Sequence, residues 1–544
     1  MDAAFLKAAV RGEVREDEPT LRAGSTDASI FSVKPAAVFV PEDADDLAAA
    51  VRAVSERARD GETVSLTARA AGTCMSGGSL TESVQVDCRK LAAIAYDGAG
   101  AVTAGPGTYL RDVQALAGRH GYFFPSYPAS WQLCAVGGVV ANNAGGEKNL
   151  RYGKTNRYVA ALDVILDDGS RATFRKLDAG ELAGKLALES REGEVYRGIH
   201  AMLAGNRDLL RDSRPKVTKN SSGYALWDVW DEKAGTFDLT QLVTGSQGTL
   251  CLIAEATLRL ERPAAHASLT VIYLEGTAGL AALVRKLLAF GPESLESFDH
   301  HTLRLALRYL PALARHLGIG VIGTVLRFVP DLVSAGLRGL PPLVVLAELT
   351  SDDAEELHER EAGMHASLRE AGLRFKVAGS GPEAQKYWAV RRESFTLLRE
   401  RTRDRVTAPF IDDIVVRAED LSEFLPQLER LMERYQKLMT YTIAGHVGDG
   451  NFHIIPLINL HDPEARAAMY ELQEEALTLT LAFGGSTSGE HNDGLIRTRY
   501  VERQFGAEMN GLFERTKDLF DPQGMFNPGK KVRGDWAFAQ AHVK

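Results

Sequence analysis

The chain has 544 residues, 45% of them hydrophobic and 25% charged, with a formal net charge of −9. That length exceeds one ordinary core, so two to four domains or subdomains are expected, and the acidic balance argues against general nucleic-acid binding. The four scattered cysteines, Cys74, Cys88, Cys134 and Cys251, form no CxxC pair, which excludes a zinc ribbon or a cysteine-ligated iron–sulfur cluster built from them and suits a reducing compartment.

The N-terminal "MDAAFLKAAVRGEVREDEPT" lacks the basic-then-apolar order of a signal peptide. No apolar run reaches transmembrane length, so the cytoplasm is the expected location. "DADDLAAAVRAVSERARDG" has capping aspartates, helical apolar spacing and a terminal glycine, and predicts a helix. "TVSLTA" predicts a short strand, followed by the small-residue loop "RAAGTCMSGGSL". Two further small-residue tracts follow, "AVGGVVANNAGGEKNLRYG" and "GSQGT", the latter leading into the strand-like "LCLIAEATLRLER". Composition shifts after Glu261-Arg262-Pro263, the best boundary candidate. Beyond it, "DDAEELHEREAGMHASLREAG" and "EDLSEFLPQLERLMERYQKL" predict amphipathic helices. The basic, apolar stretch 302–340 suits helices packed on a second domain, or a contact with an anionic membrane surface.

Two motifs fail on context. "GIGVIG", Gly318 to Gly323, follows a helical rather than strand-like segment and has no acidic partner about twenty residues on. "GKT", Gly153 to Thr155, has Lys148 where a phosphate loop needs glycine. The loop Arg69 to Leu80 gains weight from company. Three small-residue surfaces at wide separation suggest one extended cofactor with backbone packed along it.

In "AGHVGDGNFH", Asp449-Gly450 predicts a two-residue hairpin turn that sets His446 opposite His453. Opposed Cβ atoms roughly 4.5–5.5 Å apart would let two imidazoles share a divalent ion. By itself this is an ordinary hairpin with a polar cross-strand pair. "GGSTSGEHNDG" offers a third ligand, because adjacent Glu490 and His491 point opposite ways in extended backbone. Two histidines and a carboxylate leave coordination positions open, the pattern of a catalytic site.

From "STDASIFSVKPAAVFVPED" through "AAGTCMSGGSL", "VGGVVANNAGG", "GSQGTL", "GHVGDGNFH" and "SGEHNDG" to "DPQGMFNPGK", the chain resembles FAD-dependent 2-hydroxyacid dehydrogenases of the vanillyl-alcohol-oxidase type. These include D-lactate dehydrogenases, the glycolate oxidase flavoprotein subunit and D-2-hydroxyglutarate dehydrogenase. The resemblance implies an α+β protein: a vanillyl-alcohol-oxidase/PCMH-type FAD-binding domain over 1–262, an α+β cap domain with the hairpin over 263–485, and a C-terminal segment, 486–544, returning to the flavin. It implies a pyrophosphate loop of Arg69, Ala71, Gly72, Thr73, Ser76, Gly77, Gly78 and Ser79. Pro128, Ser130, Gly137, Gly138, Ala141, Asn142 and Gly145 would line the cofactor, Gly248 and Ile253 would lie towards its adenosine half, and Asn527 near the flavin ring. His446, His453 and Glu490 match the family's divalent-metal ligands (zinc, manganese or iron), His491 its catalytic base, and Arg391 the arginine that pairs with the substrate carboxylate, with Arg392 a close competitor.

The expected reaction is oxidation of a D-lactate-like 2-hydroxy acid. With no histidine in the Arg69–Ser79 loop, non-covalent FAD is expected. Without cluster cysteines, electrons would leave through a separate acceptor: a quinone, a cytochrome, or an iron–sulfur or other electron-transfer protein. This is compatible with peripheral contact at the inner face of the membrane. Asn492 stands where the family often has glycine, and Ile455 where the hydroxyglutarate enzymes tend to have a polar residue. Two alternatives remain at this level: an alkyl-glycerone-phosphate-synthase-like flavoenzyme and a non-catalytic flavoprotein subunit.

Overall fold

The computed structural model describes residues 3–308, 339–399 and 405–544. Most of the stretch 302–340, with "GIGVIG", lies outside the described residues. Among the described residues no helix is long and apolar enough to cross a membrane.

The first half of the chain builds two main sheets. One runs in the order Glu13–Arg15, Ala37–Val40, Val84–Asp87, Leu66–Arg69, its last three strands parallel. Ala37–Val40 and Val84–Asp87 are buried throughout, as expected of parallel strands covered on both faces. The predicted helix covers them as Ala44–Arg59. Asp43 caps it by accepting from the Asp46 N–H, and Leu47, Val51 and Val54 face the core. The second sheet is antiparallel, in the order Ile94–Tyr96, Ala101–Ala104, Leu252–Arg259, Val159–Ile165, Arg171–Arg175.

Between Arg259 and His266 the chain passes to a third, antiparallel sheet. Its main strands run Arg374–Gly379, His266–Leu274, Leu343–Ser351, Ser294–Asp299, Met439–His446, Asn451–Ile458. Period-two alternation divides Leu343–Ser351 between two cores. Val345, Ala347 and Leu349 pack with Leu357, Met364 and Leu368 of the helix Ala354–Glu370, whereas Val344 and Leu346 pack with Trp388 of the helix Pro382–Arg399.

The chain then returns to its start. Met509, Leu512, Phe513 and Phe520 of the helix Ala507–Phe520 enter the core of the second sheet, and Met525 and Phe526 that of the first. The Leu66 N–H donates to the Met525 carbonyl, extending the first sheet by one bridge.

Candidate active site

A cavity of about 590 Å³ runs from the loop after Leu66–Arg69 to the hairpin histidines. Arg69, Ala71, Gly72, Thr73, Gly78 and Ser79 line one end. Pro128, Ser130 and Gly145 line it too, with Gly137, Gly138, Ala141 and Asn142 of the helix Val136–Asn142. Gly248 and Ile253 complete this part of the wall. Glycine is required at Gly137, where a Cβ would lie 2.6 Å from Pro106 Cβ. Arg69 Nη1 and Ser79 Oγ are buried without a protein partner. Two orphaned donors beside an elongated, small-residue cavity fit a diphosphate-bearing cofactor.

Three residues expected on this wall stand behind it. Ser76 Oγ donates to the His491 carbonyl, 3.0 Å away, and Gly77 packs against Phe31 and Leu495. Asn527 Nδ2 donates to the carbonyls of Gly78 and Gln247 at 2.8 and 2.7 Å. They hold the loop's shape from outside the cavity, because their side-chain space is already filled by protein. The Cys134 thiol, also on the wall, is pushed up to about 12 by burial and so stays protonated.

At the other end the hairpin differs from expectation. Val447–Asp449 forms a helical turn and Gly450 follows in the left-handed region at φ 66°, so the loop has four residues rather than two. His446 therefore faces Asn451, and His453 faces Ala444. The histidines are diagonal neighbours, still on one face because the shift is an even one. Their ring centroids are 5.1 Å apart. Nitrogens of His446 and His453 and an oxygen of Glu490 all lie within 4.8 Å of one another, and the same limit gathers Asp412, His453 and His491.

Four residues that sequence reasoning missed build this cluster. Glu296 Oε1 lies 2.6 Å from His446 Nδ1, and its Oε2 accepts from Arg391 Nε at 3.1 Å. Asp412 lies 3.1 Å from His453 Nδ1 and 2.6 Å from His491 Nδ1, the latter a charge contact rather than an aligned hydrogen bond. Asp413, held at φ 70°, accepts from the backbone N–H groups of Glu490 and His491 and from Ser488 Oγ. Lys219 Nζ lies 2.6 Å from Glu490 Oε1 and 3.0 Å from Asp449 Oδ2. The available signal was acids inside apolar runs, "SLESFD" and "PFIDDIVV"; Lys219 in "TKNSSG" carried none.

These partners set the charges. Burial opposes charge on His446, yet Glu296 and Glu490 raise it to about 9. Burial likewise opposes charge on His491, and Asp412 with Asp413 raises it to about 9. His453 is lowered, because burial outweighs Asp412. Burial would raise Glu490, but Lys219 and His446 hold it well below the usual carboxylate range. These carboxylates favour the imidazolium form of both His446 and His491. The donor set fits a divalent ion: neutral His453, ionised Glu490, and His446, whose Nε2 lies 3.2 Å from Glu490 Oε1 and whose proton the ion would replace. Each ligand histidine has its other nitrogen against a carboxylate, the support that metal-binding imidazoles need.

Residues 35–175 match the family model described as an FAD binding domain, and residues 262–531 that of the C-terminal domain of FAD linked oxidases. The chain is 28% identical over 535 residues to D-2-hydroxyglutarate dehydrogenase of Pseudomonas putida, covering 97% of this chain and 51% of that one. It spans about half the length of the D-2-hydroxyglutarate dehydrogenases it matches. A D-lactate dehydrogenase of Archaeoglobus fulgidus is 26% identical, covering 91% of both chains. Escherichia coli glycolate oxidase subunit GlcD is 26% identical, covering 93% of this chain and 85% of that one. Among solved structures, 4-ethylphenol oxidase from Gulosibacter chungangensis has a TM-score of 0.68 at 15% identity, covering 98% of this chain and 97% of that one. An alkyldihydroxyacetonephosphate synthase has 0.66 at 12%, covering 97% and 85%. These last two likenesses establish the vanillyl-alcohol-oxidase-type fold alone. With both domain models matched in order along one cavity-bearing fold, the chain belongs to the FAD-linked oxidases.

Proposed function

We propose that the protein oxidises a small D-2-hydroxy acid of the D-lactate kind to the 2-oxo acid, with FAD and a divalent metal held by His446, His453 and Glu490. One observation carries this reading. The cavity lined by the small-residue tract is also lined by Arg391, His446, His453, Glu490 and His491. Names of relatives from three directions, hydroxyglutarate, lactate and glycolate, agree on the 2-hydroxy acid class.

Bound FAD supplies a two-electron acceptor for the Cα hydride, and a bound divalent metal supplies Lewis acidity toward the hydroxyl oxygen. The rest falls to the chain. Arg391, anchored through Nε to Glu296, pairs with the substrate carboxylate and fixes which face of Cα is presented. His491, once its own proton has left, takes the hydroxyl proton at Nε2, since Nδ1 lies against Asp412. Asp412 then stabilises the imidazolium that forms. Electrons pass to a separate acceptor, an electron-transfer protein or a quinone. The basic, apolar sequence of 302–340 supports a peripheral membrane contact for that step.

Anaerobic mixing with both enantiomers of lactate and related 2-hydroxy acids tests the reading. Flavin bleaching by the D series, slowed by chelator and restored by Mn²⁺, is expected. A flavin that dithionite bleaches but no 2-hydroxy acid does would overturn it.

A further inference from the structure

The wall around Arg391 contains a second arginine whose charge is already committed. Arg392 Nε donates to Glu147 Oε2 at 2.9 Å, and Nη2 donates to Oε1 of the same carboxylate. Tyr127 OH donates to Glu147 Oε1 at 2.9 Å, and the guanidinium lies over the Trp388 ring at 5.3 Å. The Glu147 side chain is 11% exposed. Burial alone would raise its carboxyl, but Arg392 and Tyr127 pull it down to about 2, so it is ionised at any working pH.

Among the described residues lining the cavity there are three arginines, Arg69, Arg391 and Arg392, and no lysine. Arg69 belongs to the loop at the cofactor end, where its Nη2 donates to the Thr26 carbonyl. Arg391 serves the carboxylate that every 2-hydroxy acid has. A second carboxylate would have to turn to Arg392, and Glu147 is there. Among the described residues the hairpin wall offers no alternative. The hairpin register puts Thr442 and Ile455, paired with each other, and Ala444 on the same face as His446 and His453. All three line the cavity, and they supply one hydroxyl and otherwise methyl and methylene surface.

We infer that Glu147, by occupying Arg392 at the cavity wall, restricts the protein to monocarboxylic 2-hydroxy acids with a short apolar side chain and excludes 2-hydroxy dicarboxylic acids. The inference rests on the reaction proposed above. Glu147 acts twice, by neutralising the one further arginine that the described residues offer a distal carboxylate and by setting a like charge beside it. It comes from the FAD-binding part of the chain and Arg392 from the cap, so the selecting pair also joins the two.

The test compares kcat/KM for D-lactate with that for D-malate and D-2-hydroxyglutarate in the flavin-loaded protein and its variants. The wild type should prefer the monocarboxylate. Glu147→Gln should raise the dicarboxylate-to-monocarboxylate ratio by at least about tenfold, as removal of a like charge from the cavity wall does. Tyr127→Phe, which leaves the Glu147–Arg392 pair in place, should hold the ratio within about threefold, because both charges of the pair remain. A wild type that prefers a dicarboxylate, or a flavin-replete Glu147→Gln protein with an unchanged ratio, overturns the inference. Should Glu147→Gln fail to retain flavin, Thr442→Lys decides. This variant places a new cation on the hairpin face and must raise the same ratio, and no rise overturns the inference. Failure of every 2-hydroxy acid to reduce the flavin would instead refute the reaction on which it rests.

Discussion

Lys219→Met removes one ammonium from the most buried part of the charge cluster and keeps most of the side chain's volume. The Lys219 side chain is 2% exposed, with Glu490 Oε1 at 2.6 Å and Asp449 Oδ2 at 3.0 Å. At an effective dielectric of about 20, each contact is worth about 6 kcal/mol gross. The hydration lost on burying the ammonium offsets much of that, and deleting one partner of a buried pair costs about 3–5 kcal/mol, because the other charge is stranded. Glu490 would then keep only His446 as a cationic partner, and Asp449 would lose its ammonium. A divalent ion on His446, His453 and Glu490 returns the missing charge, so metal must stabilise the variant more than the wild type. Thermal melts read by flavin release, in chelator and in Mn²⁺, measure both quantities. A chelated variant that melts with the wild type would refute the buried-charge account. Equal metal stabilisation of both proteins would refute the claim that the ion and Lys219 share Glu490.

The chelated protein should lose stability as pH rises. His446 and His491 titrate near 9 in the fold against an ordinary 6.5, so their stabilisation is fully present below 6.5 and lost through 9. The ceiling is about 3 kcal/mol per imidazole. Denaturant melts at the two ends of that window check the sign, and equal or greater stability at the alkaline end would refute it. Asp412→Asn should lower metal affinity or turnover by roughly 10–100-fold and shift the acid limb of the rate profile downward, since His491 loses its nearest carboxylate. Stopped-flow flavin reduction across pH would show an unshifted limb if Asp412 has no such part. Gly450→Ala should destabilise by more than about 1 kcal/mol, because the added Cβ would meet the Val416 carbonyl oxygen at 1.9 Å on a residue at φ 66°; melts with intact metal binding and no loss of stability would contradict that.

Local chemistry made parts of this molecule legible and left others hidden. The helix after Asp43 was readable because cap, spacing and stop agree within nineteen residues, 43–61. The small-residue loops were readable because a close backbone approach demands glycine wherever it occurs. The hairpin was half readable. Asp-Gly announces a turn, but whether Val447 and Gly448 join the turn or the strands depends on Leu150 and Leu295, which pack against Gly448 from far along the chain. The partners of the histidines were not readable. Glu296, Asp412 and Lys219 reach their places through sheet register and domain docking, and no short window records contacts made across 41 to 271 residues. Ser76, Gly77 and Asn527 show the converse: residues within a motif can serve its shape without touching the space it encloses.

Asn527 has a consequence for how the protein is made. Its amide reaches the carbonyls behind Gly78 and Gln247, and its Oδ1 accepts from Thr67 at 3.2 Å. Translation delivers Thr67, Gly78 and Gln247 long before the residue that ties them together. During synthesis the cofactor loop therefore waits untied while the rest of the chain is added. The same late stretch of chain carries Glu490 and His491, so the tie behind the loop and the histidine–carboxylate cluster are completed together.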